Sequence, residues 1–286
     1  MNGPVSHSGI MLLAIGLITC EGPPPPAAPP PDCHGVPPWP GQPPLQEPAG
    51  FRPVSDVDWA TLKPKDWDYL RRTSSKHDDI CQDSGGGGMR SALRIIFTPD
   101  MRPNTEPSVH WIGLPFVNAV YAAWSVRLSP NWTSSPAGGG KITFLHTPMG
   151  QVYTGFFGST APHHVSVNTE WAPYGQLIWD PNVTTTPVTY DRWYRIEWYM
   201  KWESVPGAGD GVMRWWVNGV LNGDYSNVRY PIGGFSQFEF APTLHIEKER
   251  ASCWFLVLES CAYKSFSPSS PPRWLARHHL HKIKPN

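Results

Sequence analysis

The sequence predicts an all-β fold, a β-sandwich or jelly roll of two antiparallel sheets. Polar and apolar residues alternate at period two through several segments, which gives each strand one buried and one presented face. Gly, Pro and Asn turns punctuate those segments at short intervals. No segment keeps a helical apolar period over three turns, and many short strands of this kind bury their apolar faces by packing sheet on sheet. The clearest case is residues 192–231, RWYRIEWYMKWESVPGAGDGVMRWWVNGVLNGDYSNVRYP. Here Tyr194, Ile196, Trp198, Met200 and Trp202 share the face expected to be core. Trp193, Arg195, Glu197, Tyr199 and Lys201 share the other, which has the make-up either of a sugar-binding groove or of a solvated sheet face.

Composition narrows the function classes. The 286 residues carry no formal net charge, so there is no basic field for a nucleic acid, and no nucleic-acid partner is expected. Fifteen tryptophans are many for a chain this size and call for a packing or stacking role. Of the 34 prolines, 13 fall within residues 21–49, which sets that stretch apart as a separate, unfolded region.

Four regions follow in order. Residues 1–20 contain an apolar run at 10–19 (IMLLAIGLIT) of export-signal length, too short to span a membrane as a helix. Leu17-Ile18-Thr19-Cys20 resembles a bacterial lipobox, with Thr19 in place of the usual smaller residue and no Lys or Arg ahead of it. That resemblance makes Cys20 the expected lipidation site and the protein extracytoplasmic, either secreted or anchored by lipid. Residues 21–50 are a Pro-rich linker in extended geometry, expected to act as a tether. Residues 51–262 hold the sandwich, and 263–286 form a basic tail. A monomer is expected.

Within the sandwich, 56–69 (DVDWATLKPKDWDY) is expected as turn and short helix broken at Pro64, and 83–88 (DSGGGG) as a loop. Strands are expected at 90–98, 119–128, 141–146, 151–157, 192–202, 212–217 and 234–240. In 119–128, Val120, Ala122, Trp124, Val126 and Leu128 make the core face. Asn218-Gly219 is the strongest hairpin signal, because a type I′ turn needs positive φ at both central positions. A closing strand should pair back into the sheet. Residues 253–258 (CWFLVL) are one candidate; a reading frame lost near Thr243 is the other account of the Ser/Pro-rich, basic end.

The order of motifs carries a resemblance. A strand at 120–132 leads to Gly138-Gly139-Gly140-Lys141, then to the Trp-rich strand 192–202. Asp210-Gly211, Trp216-Val217-Asn218-Gly219 and Asn227-Val228-Arg229 follow. Over residues 115–240 this resembles the concanavalin A-like jelly roll of the alginate-lyase and glucuronan-lyase branch of polysaccharide lyases. One departure is that Lys141 is followed by Ile142-Thr143-Phe144-Leu145 where the lyases carry Leu-Pro-Gly-Leu.

The resemblance implies β-elimination from a uronate glycan. That reaction needs a group to neutralise the substrate carboxylate, a base for the adjacent proton and an acid for the leaving oxygen. The expected catalytic residues are Lys141, which the resemblance singles out, with Tyr153 and Tyr199; Gln151, Trp193, Arg195, Lys201, Arg214 and Trp216 are expected to bind substrate. Glu197 and Glu239 are expected on inner-type faces, and no paired-carboxylate nucleophile strand accompanies them, which argues against a glycosidase. His163-His164 is expected as a surface pair, and Asp180 and Asp210 fit no calcium loop. The five cysteines include no C-x-x-C and no zinc spacing, so no cofactor or metal is expected. Two function classes stay open: a lyase of acidic glycans, and a non-catalytic carbohydrate-binding module of the same fold. A structural tether domain is a third.

Overall fold

The computed structural model describes residues 44–57, 69–72, 78–83, 90–97, 106–130, 132, 140–172, 174–230, 233–244 and 254–266. The export segment, Cys20, most of the Pro-rich stretch, residues 58–68 and 84–89, and the tail beyond Phe266 lie outside them.

Every regular element among the described residues is a strand. In chain order they are β1 (Arg52–Val57), β2 (Tyr69–Arg72), β3 (Asp78–Asp83), β4 (Arg90–Phe97), β5 (Ser108–Val117), β6 (Ala119–Leu128), β7 (Gly140–Thr147) and β8 (Gly150–Phe157). Then come β9 (His164–Trp171), β10 (Gly175–Trp179), β11 (Trp193–Lys201), β12 (Gly211–Val217), β13 (Val220–Val228), β14 (Phe235–Leu244) and β15 (Trp254–Phe266). They build two antiparallel sheets. One has eight strands in the order β13-β12-β11-β6-β15-β4-β3, with β1 also paired to β15; the other has seven in the order β10-β9-β8-β7-β14-β5-β2. The all-β, two-sheet sandwich expected from the alternation is the observed architecture.

The core lies between the sheets. From β11 it takes Tyr194, Ile196, Trp198 and Met200, and from β6 Val120, Ala122, Trp124, Val126 and Leu128, the faces read from alternation. The seven-stranded sheet answers with Leu145, Val152, Phe156, Val165, Val167, Phe238 and Phe240. Trp124 meets Trp198 edge-on at 5.7 Å and Phe240 edge-on at 5.9 Å, so rings from both sheets interlock. Cutting such a buried tryptophan back to Ala costs about 3–5 kcal/mol.

Two local features hold β11 to β13. Asn218 (φ 53°) and Gly219 (φ 75°) make the expected two-residue turn between Val217 and Val220. Asn218 also locks the hairpin to β11: its N–H donates to the Arg195 carbonyl (2.8 Å), and its Oδ1 accepts the Arg195 N–H (2.8 Å). Opposite Trp215 stands Gly223, where a Cβ would lie 2.1 Å from the Trp215 ring. Only glycine lets that indole reach the core and donate its Nε1–H to the Val165 carbonyl at 3.1 Å.

The closing strand is β15. It pairs with β6 along one edge and with β4 and then β1 along the other, so residues 254–258 of the expected candidate do return to the sheet.

Candidate functional site

A bulge in β7 decides which side chains reach the outward face of the seven-stranded sheet. Plain alternation puts Lys141, Thr143 and Leu145 on one side and Ile142, Phe144 and His146 on the other. In the structure Lys141 pairs with Gly155 and Thr143 with Thr154, so β7 carries one extra residue at this point. Ile142 and Leu145 both enter the core. Lys141 and Phe144 both face outward, with the ammonium 6.0 Å from the Phe144 ring, and Phe144 stacks on His146 with ring centroids 6.0 Å apart.

Two rows of side chains then cross this face in register. The first is Gln237, His146, Gln151, Glu170 and Gln176, one residue from each of β14, β7, β8, β9 and β10. Four strand spacings make it roughly 19 Å long. Beside it run Trp111, Glu239, Phe144, Tyr153 and Asn168. Phe144 and Tyr153 form a second apolar cluster with Val109 and Ala241 on the side away from the core, with Trp111 packed against it.

Hydrogen bonds tie the rows into two polar groups. In the first, Lys141 Nζ lies 3.4 Å from Glu170 Oε1 and 4.3 Å from the Tyr153 ring centroid. Gln151 Nε2 donates to Glu170 Oε2 at 2.6 Å. The Tyr153 oxygen accepts from Asn168 Nδ2 at 2.9 Å and Gln176 Nε2 at 3.1 Å. Burial pushes the Tyr153 phenol up to about 12; the two amides pull against it and the Glu170 carboxylate adds to it. Burial also opposes ionisation of Glu170, but the Gln151 amide and the Lys141 ammonium outweigh it and hold that carboxyl below its ordinary value. In the second group, His146 Nε2 lies 2.7 Å from Glu239 Oε2, and Gln237 Nε2 donates to the same oxygen at 2.9 Å. An ionised Glu239 fixes the proton on Nε2 and leaves His146 Nδ1 as an open lone pair on a side chain 28% exposed.

The other expected site residues lie elsewhere. Lys141, Gln151 and Tyr153 come together on β7 and β8. Trp193, Arg195, Tyr199 and Lys201 on β11, and Arg214 and Trp216 on β12, belong to the eight-stranded sheet and face outward on the opposite side of the sandwich. They are therefore not brought to Lys141. Arg214 is paired with Asp224 (2.7 Å). Arg195 is 3% exposed and bonded to Glu197, which is fully buried. Glu197 and Glu239, expected on inner-type faces, each face outward, from different sheets; their neighbours Ile196, Trp198, Phe238 and Phe240 take the core positions. His163 is also a correction: it is 1% exposed, its Nδ1 donates to the Gly158 carbonyl (2.9 Å), and burial lowers its pKa. Asp180 and Asp210 are engaged separately, Asp180 by the Ser166 hydroxyl and Asp210 by the Ser204 N–H.

Sequence reasoning missed His146, Asn168, Glu170, Gln176 and Gln237 as members of this face. The missing signal for His146 was the bulge, since alternation from Lys141 turns it the wrong way. For Glu170 and Gln176 the alternation NTEW and GQLIW was present, but strands β9 and β10 were not recognised.

No family model matches the sequence, and no curated protein matches it. Solved structures do. The alginate lyase Aly36B superposes with a TM-score of 0.54 at 10% identity, covering 76% of this chain and 98% of that one. A double mutant of Aly36B in complex with an alginate trisaccharide gives 0.52 at 12% identity, over 74% and 98%. An endo-β-1,4-glucuronan lyase from the fungus Trichoderma reesei gives 0.49 at 17%, over 70% and 91%. At these identities the Aly36B likeness shows the fold alone: this chain is a concanavalin A-like jelly roll of two antiparallel sheets.

Proposed function

We propose that the chain is a polysaccharide lyase that cleaves a uronate-containing glycan by β-elimination on the outward face of the seven-stranded sheet. The observation that carries this reading is the polar row Gln237–His146–Gln151–Glu170–Gln176, flanked by Lys141 and long enough to lie along several sugar units. That Aly36B, of the same fold, is an alginate lyase supports a uronate as the substrate.

The roles follow from the geometry. The substrate carboxylate takes hydrogen bonds from Gln151 and shares the Lys141 ammonium with Glu170, which lowers the energy of the carbanion-like transition state. His146 Nδ1 removes the proton next to that carboxylate while Glu239 stabilises the imidazolium. The electron pair forms the ring double bond, the glycosidic oxygen leaves, and the Lys141 ammonium protonates it. Tyr153 is 2% exposed and its phenol stays protonated at neutral pH, so its part is to carry Lys141 and orient Asn168 and Gln176. Export, and lipidation at Cys20, belong to this proposal on the strength of residues 10–20 alone.

Incubation with alginate, glucuronan and heparin-type polymers tests it through the ultraviolet absorbance of the unsaturated uronate product. Product from any of these supports the lyase. Retardation by a glycan gel with no product from any polymer favours the binding module instead.

A further inference from the structure

On the eight-stranded sheet the outward face of β11 is covered by the chain itself. Residues 44–48 run over it without helix, strand or turn. The Pro44 carbonyl accepts from Arg195 Nη2 at 3.1 Å. The Gln46 N–H donates to Glu197 Oε2 at 2.7 Å. Five residues on, the Phe51 ring meets Tyr199 edge-on at 5.9 Å.

The match is one of direction. Arg195 and Glu197 are two apart on a strand, so they stand on one face. In extended backbone the carbonyl of one residue and the N–H two residues on flank a single residue and point to the same side, so Pro44 and Gln46 turn an acceptor and a donor towards Arg195 and Glu197 together. The donor and the acceptor thus read the backbone of an extended segment and ignore its side chains. Beside them β6 presents Ala123 and Ser125, short side chains opposite Glu197 and Arg195 that leave room for a chain to lie.

The buried pair needs this partner. Arg195 spends Nε and Nη2 on Glu197 Oε1, at 2.9 and 2.7 Å. Glu197 Oε2 takes the Tyr121 hydroxyl and the Gln46 N–H. Burial, then the bond to Glu197, push the Tyr121 phenol far up, so it remains a donor. A buried ion pair is tolerated only when its remaining hydrogen-bonding capacity is met, and here an amide from the Pro-rich segment meets part of it.

We infer that the outward face of the eight-stranded sheet is a docking site for an extended, Pro-rich segment, occupied in cis by residues 44–51. Arg195, Glu197 and Tyr199 are its recognition residues. It is separate from the reaction proposed on the other sheet and does not depend on it.

Gln46→Pro in the full chain tests the inference, because it keeps the segment extended and removes only the amide that Glu197 accepts. In the wild type the Gln46 amide, the one that donates to Glu197, should exchange at least about tenfold more slowly than in a free synthetic peptide of residues 37–51, the scale of one hydrogen bond to a charged group. That peptide, fluorescently labelled, should bind the Gln46→Pro protein saturably, and a peptide carrying the same substitution should bind it at least about tenfold more weakly. Free-rate exchange in the wild type, or equal binding of the two peptides, would overturn the inference. So would a variant whose released face takes a uronate oligosaccharide in preference to the peptide.

Discussion

The Lys141 ammonium sits 4.3 Å from the centroid of the Tyr153 ring, so a half-exposed cation rests on a buried phenol. The phenol is in turn gripped by two amides, and the cation has a defined place without a fully buried counter-charge. Replacing Lys141 by Ala should lower elimination by about 10²–10⁴-fold, the usual weight of a positioned acid or base. Melting should change little, since an exposed ion pair and a cation–π contact are each worth about 1 kcal/mol or less. A wild-type rate in Lys141→Ala removes this residue from the mechanism.

Tyr153 makes stability depend on alkaline pH. Its pKa is raised to about 12 in the folded protein, against about 10 in an unfolded chain. The folded state favours the protonated phenol, so the contribution is fully present below about pH 10 and is lost as pH rises from there towards 12. Chemical denaturation of wild type and Tyr153→Phe across that interval isolates it from the other tyrosines. The difference between the two proteins should shrink by an amount on the order of 2 kcal/mol. A constant difference would mean the phenol is not held this way.

Glu170 gives the opposite sign. Its carboxyl is held below the ordinary value, so its contribution is complete above about pH 4–5 and is lost as pH falls through the folded pKa. Wild type should therefore lose stability relative to Glu170→Gln on acidification. The same variant removes a negative charge from the place where a substrate carboxylate binds, and should lower KM for a polyuronate several-fold, the scale of a like-charge neighbour relieved in partly exposed surroundings. A KM that rises instead would assign Glu170 to substrate binding.

Truncation after Leu244 removes β15. Strands β6, β4 and β1 would then lose their shared partner, and the eight-stranded sheet would fall into β13-β12-β11-β6, β4-β3 and a lone β1. The truncated chain should show no cooperative melting and no near-ultraviolet circular dichroism from its tryptophans. A truncation product that melts like the full chain would mark the residues after 244 as dispensable and revive a lost reading frame.

Period-two alternation made the architecture legible. The faces of β6 and β11 could be read directly because every second residue from Val120 to Leu128 and from Tyr194 to Trp202 is apolar, and Asn218-Gly219 announced its own turn. The site was half legible. Gln151 and Tyr153 sit two apart on a regular strand, and alternation paired them correctly. His146 was hidden because a bulge is a long-range accommodation between β7 and β8, with no local mark in KITFLH. Arg195 and Glu197 looked like groove or solvent residues because nothing on β11 tells that Pro44 and Gln46, counted with the Pro-rich linker, lie over them.

The place of β15 has a consequence for how the chain is made. It is the last strand along the sequence among the described residues, yet it stands between β6 and β4 in the middle of its sheet. At ordinary translation speeds the residues separating β4 from β15 take on the order of ten to thirty seconds to emerge. Through that interval the two halves of the eight-stranded sheet, β13-β12-β11-β6 on one side and β4-β3 on the other, lack the strand that joins them, so this sheet is completed only after nearly all of its other strands have been made.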